Sequence, residues 1–174
     1  MKKNIFMSLL FTVSFFLPLP VSAEETKLAY VDLQVALSTS NAGKSAKEMF
    51  QREVDRIQKD LDIKQNDLKR LKDELEKQGL LLSEETKVEK EREYQDKLKA
   101  VQRYYQDAQE ELQGKDAELT RSVLINLRRI IVNIGQEKGY DMILERNESS
   151  VLYAKESADL TSEVIKRLNE AKAP

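Results

Sequence analysis

The chain has no cysteine, no histidine and no tryptophan, and its 174 residues hold only 5 glycines and 3 prolines. Without cysteine there are no disulfides, no thiolate metal sites, no cysteine nucleophile and no lipid-anchored N-terminal cysteine. Without histidine the commonest general base and metal ligand are missing, so an enzyme would have to work with carboxylates or lysines. Aromatics are 6% of the chain, too few for a thick core. Two prolines, Pro18 and Pro20, lie in the first twenty residues and the third is the terminal Pro174. Nothing between them breaks a helix at proline. The formal net charge of −2 leaves no strong nucleic-acid footprint.

What the chain does contain is charge, 34% of all residues, arranged with helical periodicity. The N-terminus is different. Lys2 and Lys3 precede an apolar run from Ile5 to Leu17, then Pro18 and Pro20, then Val21-Ser22-Ala23. A basic start, a short apolar middle and a small-residue end predict a secretory signal peptide over residues 1–23, cleaved between Ala23 and Glu24. The run is too short for a bilayer, which needs about 20 residues. Two lysines in place of paired arginines favour export of an unfolded chain. The mature product is expected to be soluble and exported.

Lys27 to Asp32 reads as a short, fully covered strand, and Leu33 to Leu37 as one or two helical turns. Ser38 to Gly43 is a polar break rich in capping residues. From Lys44 a heptad pattern holds: Phe50, Val54, Ile57, Leu61, Leu68, Leu71 and Leu75, with Lys64 in the one missing seam position. Gln78-Gly79 stops it. Ser83 caps a second helix whose first turn carries Glu84 and Glu85, where the helix dipole favours acids. Its seam reads Tyr94, Leu98, Val101, Tyr105, Ala108, Leu112 and Leu119. Two such segments joined by a short break predict an antiparallel coiled-coil hairpin. The outgoing helix should span about 52 Å and the return helix, Ser83 to Lys138, about 84 Å. After Leu119 the stripe widens and slips in phase through Val123, Leu124, Leu127, Ile130, Ile131 and Ile134, as a helix entering a globular core would.

Gly135 and Gly139 end this helix. Tyr140 to Glu145 and Val151 to Ala154 read as two further strands joined by a polar turn into a hairpin. Asp159 or Thr161 caps a last helix carrying Leu160, Val164, Ile165 and Leu168. The fold class is therefore mainly α with a small β body of three short strands. A body built from 24–43 and 119–174 is interrupted by an arm from 44 to 118, with its tip near 79–83. Such a small body favours oligomerisation through its strand edges.

Ala29-Tyr30-Val31-Asp32-Leu33-Gln34, then Gly43-Lys44 entering a long helix, resembles the start of the Skp/OmpH family of periplasmic chaperones. Tyr140 to Leu144, Val151 to Ala154, and Asp159-Leu160-Thr161 ahead of Val164-Ile165 and Leu168-Asn169 are similar to that family's C-terminal pattern. The likeness covers the whole mature chain. It implies a jellyfish-like homotrimer whose three arms enclose unfolded outer-membrane β-barrel proteins in transit. It also implies no nucleotide hydrolysis and no cofactor, in keeping with the lack of a phosphate-binding glycine loop. One departure concerns charge. Residues 64–98 around the tip hold 9 Lys or Arg against 10 Asp or Glu, which leaves apolar contact and exclusion as the larger forces. A nucleic-acid partner is not expected, and contact with a membrane surface finds no support in the charge.

Candidate client-contact residues are Leu80, Leu81 and Leu82 at the tip, and Tyr104. The leucines could instead close the hairpin end over Leu75 and Val88. Tyr104 lies off the seam, whereas Tyr94 and Tyr105 lie on it and are expected to pack inward. Candidates for the oligomer body are Tyr30, Val31, Met142, Leu144, Leu152 and Tyr153. Gly114, inside the return helix, is either a flexible point, a tolerated defect or a site of close helix packing. Lys64 either sets register or turns its charge outward. Adjacent acids such as Glu84-Glu85 and Glu110-Glu111 point in different directions on a helix and are no catalytic pair. Two other functions fit less well: an adaptor whose hairpin docks on a partner coiled coil, and an enzyme using carboxylates.

Overall fold

The computed structural model describes residues 25–78 and 82–171. The expected signal peptide, its junction Ala23–Glu24, and Leu80 and Leu81 of the tip lie outside the described residues. The elements run β1 (Leu28–Val31), α1 (Leu33–Thr39), α2 (Asn41–Gln78), α3 (Glu84–Lys138), β2 (Met142–Glu145), a 3-10 turn (Glu156–Ala158) and α4 (Thr161–Glu170).

Each short element starts where a side chain satisfies a free backbone group. Asp32 caps α1: its Oδ1 accepts the Val35 N–H at 2.9 Å, and its own N–H donates to Thr161 Oγ1 at 2.9 Å. The predicted break from Ser38 to Gly43 shrinks to a kink at Ser40. The N–H of this fully buried serine donates to the Ala36 carbonyl, closing α1, and its Oγ accepts the Gly43 N–H at 3.1 Å, opening α2. The kink brings the end of α1 so close to α2 that a Cβ on Gly43 would stand 1.6 Å from the Leu37 carbonyl oxygen. Only glycine leaves room there.

Helices α2 and α3 run antiparallel. Residues that meet converge in sequence toward the tip, as Arg56 with Glu111, Asp60 with Tyr104, and Glu74 with Lys90 show. Ser83 caps α3, and its Oγ accepts the Thr86 N–H. Gly135 lies inside α3, and Gly139 alone ends it with φ of 65°. Lys27, just ahead of β1, reaches that end. Its Nζ donates to the free Lys138 carbonyl at 2.7 Å and lies 4.5 Å from the Tyr140 ring centre, a cation placed at a helix C-terminus.

β1 and β2 pair in parallel, Leu28 opposite Met142 through Val31 opposite Glu145. The crossover between them is the whole helical hairpin. Val151 to Ala154, expected to be a third strand in a hairpin with β2, is unpaired backbone. The chain leaves β2 through a turn closed by Ser149 and Val151 N–H groups on the Glu145 and Arg146 carbonyls. The outer edge of β1 is met instead by Asp159 and Leu160, the latter donating its N–H to the Tyr30 carbonyl at 2.9 Å. One core joins Ala29 and Val31 of β1, Ala36 of α1, Val123, Leu127, Ile130 and Ile134 of α3, and Leu160, Val164 and Leu168 at α4. This is the wide stripe of α3 at work.

Candidate functional site

The site is built from the two long helices. Ile57, Leu61, Leu71 and Ala108 are buried in their seam, and Phe50, Val54, Leu68, Leu75, Leu98, Val101 and Leu112 are half-buried along it. The heptad spacing puts these residues on one face of each helix. Tyr104 and Tyr105 exchange the places expected of them. Tyr104 packs against Ile57, Leu61 and Ala108, and its hydroxyl donates to Asp60 Oδ2 at 3.0 Å. Burial, followed by this bond to Asp60, holds its phenol above the ordinary value. Tyr105 is 54% exposed. Both positions lie near the seam edge, one on each side, and the polar partner on α2 selects Tyr104. The Lys64 ammonium leaves the seam and sits 4.9 Å from the Tyr104 ring centre, so its charge turns outward while it covers the ring.

Arg56 adds a second link across the arm. It bonds Glu53 and Asp60 on its own helix and Glu111 on α3 at 2.7 Å. The Arg56 hydrogen bond holds the Glu53 carboxyl below the usual range. Nearer the tip, Lys90 pairs with Glu74 at 2.8 Å and lowers its pKa in the same way. These exposed pairs are worth little stability each, but they fix which residues stand opposite one another.

Away from the seam, Met49, Ile63, Val88 and Tyr105 are exposed on the arm and Ile125 and Val132 near the body. Leu82, the one tip leucine among the described residues, is half-buried. A Cβ on Gly114 would meet nothing within 4 Å; close packing against the partner helix is not the reason for this glycine.

In the body, Val31 is fully committed to its own chain's core, and Leu144 and Tyr30 are half-buried. Burial and then the Asp159 carboxylate raise the Tyr30 phenol pKa, and the Arg146 guanidinium lies 5.9 Å from the ring centre. Met142 is half exposed, while Leu152 and Tyr153 are 98% and 86% exposed. A cleft of about 560 Å³ opens where the end of β2 meets α1 and α3. Its floor is Leu33, Leu37, Leu124, Ile131 and Val132, and Arg128, Glu145 and Glu148 stand among its polar lining. Sequence reasoning missed this cleft, although Leu33 and Leu37 repeat at i, i+4 and Leu124 and Ile131 at i, i+7. It also missed the Arg56 cluster, for which the sequence carries no signal beyond ordinary charge alternation. Among the described residues no cluster of acids could hold a metal ion, and no helix is long and apolar enough to cross a membrane.

Comparison with known proteins matches this architecture. The sequence model of the family described as outer membrane protein (OmpH-like) matches residues 27–168. A curated relative, "Skp-like protein" of Pseudomonas aeruginosa strain PAO1, is 26% identical over 155 residues, covering 87% of this chain and 89% of its own. The crystal structure of an OmpH-like protein from Caulobacter crescentus CB15, described as a candidate outer membrane chaperone, superposes with a TM-score of 0.78 at 19% identity. That match covers 83% of this chain and 85% of the other.

Proposed function

The chain belongs to the OmpH-like family, and on that premise we propose that it is an ATP-independent holding chaperone of the periplasm. It takes up outer-membrane β-barrel proteins after export and keeps them from aggregating until they insert. The arm carries this reading. Its two helices spend their apolar seam on each other, yet Met49, Ile63, Val88 and Tyr105 stay in water along its length. Scattered apolar groups on a charged rod suit many weak contacts with a non-native chain and no fixed partner. We assign no catalytic step to it.

Three copies assembled through their bodies would bring the arms around one client. The support for assembly is the small two-stranded sheet with its unpaired β2 edge, and beside it Met142, Leu152 and Tyr153 left exposed. An exposed strand edge with apolar neighbours calls for a cover. In this reading Leu80, Leu81 and Leu82 supply contacts at the tip, and Tyr105 takes the role first expected of Tyr104.

The test uses the chain recovered from the periplasmic fraction of expressing cells, where its mass should show a start at Glu24. A urea-unfolded outer-membrane β-barrel is diluted into increasing amounts of it and light scattering is followed. Suppression saturating near three chains per client, with a trimer mass in solution, is the expected result. Scattering equal to that with an inert protein would overturn the reading and favour an adaptor with a fixed partner.

A further inference from the structure

Helix α3 carries an uncharged stripe that the seam does not use. Gln102, Gln106, Gln109, Gln113, Ala117 and Thr120 follow one another at spacings of 4, 3, 4, 4 and 3, and all six are exposed. That spacing places them on one face of the helix. The seam residues Val101, Ala108 and Leu112 point well away from it, toward α2. Tyr105 borders the stripe on one side together with Asp116, and Arg103, Asp107, Glu110 and Arg121 lie on the other. In a chain with 34% charged residues, this face has none over about five turns. The same spacing continues to Leu124 and Ile131, which form part of the floor of the body cleft. The stripe therefore leads to the mouth of the cleft, where Leu124 and Ile131 add apolar surface and Arg128, Glu145 and Glu148 bring charge back.

The chemistry of the stripe selects its occupant. Four glutamines offer no knobs for a partner helix, which would need an apolar seam to pack. Each glutamine amide has one acceptor oxygen and two N–H donors. Such a row can satisfy the bare N–H and C=O groups of an extended chain without demanding a side-chain sequence. Length agrees as well. Gln102 to Leu124 spans about 33 Å of helix. A membrane-spanning β-strand of about 9–11 residues extends about 30–37 Å, and its middle carries no charge on the lipid face.

We propose that the Gln102–Leu124 face of α3 receives one extended, strand-length segment of the unfolded client, with the segment's uncharged face against the glutamines. The proposal rests on the holding-chaperone reading and deepens it by naming the surface and the segment. Arg103 and Asp107, at the same height on the charged side, stay free of the client.

A photo-crosslinking residue is placed singly at 106, 109 or 113, and at 103 or 107 for comparison, in the chain with its arms and body intact. The probe is an eight-stranded outer-membrane β-barrel diluted from urea, and light scattering is recorded on the same samples. Client adducts several-fold stronger at the three stripe positions, mapping to the middle of its transmembrane strands, are expected. The triple variant Gln106→Glu, Gln109→Glu, Gln113→Glu should bind the client about tenfold more weakly, because carboxylates would be covered without partners. Glutamate is as good a helix former as glutamine and the new like-charge pairs around Glu110 are weakly unfavourable, so helicity should fall only slightly in a helix of 55 residues. The pair Arg103→Gln, Asp107→Asn should bind as the parent does. Equal adduct yields on both faces, or adducts only between two copies of the chain, would overturn the proposal. Scattering suppression that persists in those samples would leave the holding function standing, whereas its absence would remove both.

Discussion

Along the arm, α2 and α3 meet through a single line of residues, Ile57, Leu61, Leu71 and Ala108 being its buried members, flanked by ion pairs in water. In the body, β1, α1, α3 and α4 each bury a face against the others, and Leu127, Ile134 and Val164 are shielded completely. A two-helix seam can bury only one stripe per helix, so most of each arm helix stays solvated. A multi-element core encloses its residues from several directions, and every one of them adds to the same cooperative unit. Local opening should therefore cost less along the arm than in the body. Under the holding-chaperone proposal, this division would supply a firm anchor and a compliant grip.

The contrast is broken most forcefully from the body side. Leu127→Ala should cost about 2–5 kcal/mol, the range for emptying a filled core site, and should lower the unfolding temperature of the whole chain. Ile57→Ala in the arm should instead raise hydrogen exchange along α2 and the facing part of α3 and leave the body amides as protected as before. Uniform loss of protection in both variants would show that arm and body form one cooperative unit.

Two glycines set within helices sharpen the contrast by the sign of their effect. Gly43→Ala, at the base of α2, forces a methyl into the Leu37 carbonyl and should destabilise by about 1–3 kcal/mol, as overpacking does. Gly114→Ala meets only open space and should stabilise by up to about 1 kcal/mol, the helix-propensity difference. Denaturant unfolding of both variants measures the two signs. If Gly114 serves as a flexible point, the alanine variant should also hold large clients less well.

A smaller effect comes from the arm's polar link. Tyr104→Phe removes the bond to Asp60 while keeping the ring on Ile57 and Leu61, a change of about 1 kcal/mol. Faster amide exchange near residues 57–61, with no change around Leu127, is the expected pattern. The smallest effect joins α3 to α4. The Lys138 hydrogen bond holds the Glu163 carboxyl below its usual range, with Arg167 assisting against the opposing effect of burial. The folded chain thus binds fewer protons at this site than the unfolded one. The contribution is full above the ordinary glutamate value of about 4.3 and is lost as pH falls through the lowered folded value. Glu163→Gln should lower the unfolding temperature slightly at pH 7, and the gap to the parent should narrow as pH falls below the ordinary glutamate value of about 4.3.

Much of this architecture can be read directly in the residues. The heptads of Phe50 to Leu75 and Tyr94 to Leu112 specify two amphipathic helices, and their lengths and the break after Gln78 make them a hairpin. Ser83 and Gly139 mark the two ends of the return helix because a hydroxyl and a missing Cβ act locally. The wide stripe from Val123 to Ile134 announces a core. These features depend on periodicity and on neighbours within one turn, and such information is carried by the chain itself.

Other features needed partners distant in sequence. Spacing puts Tyr105 on the seam and Tyr104 off it, yet Tyr104 is the one that packs inward, with its hydroxyl on Asp60 of the other helix. Val151 to Ala154 has the composition of a strand, but the turn after β2 closes on itself through the Ser149 and Val151 N–H groups and the segment leaves the open edge of β2 unpaired, while Asp159 and Leu160 meet the edge of β1. The parallel register of Leu28–Val31 with Met142–Glu145 joins segments separated by the whole arm. The sequence by itself thus determined helix length, caps and seams, because those energies are local and repeat. The tertiary structure alone decided which edge was paired, which tyrosine was covered and where a cleft opened, because each depends on a contact whose two halves lie far apart along the chain.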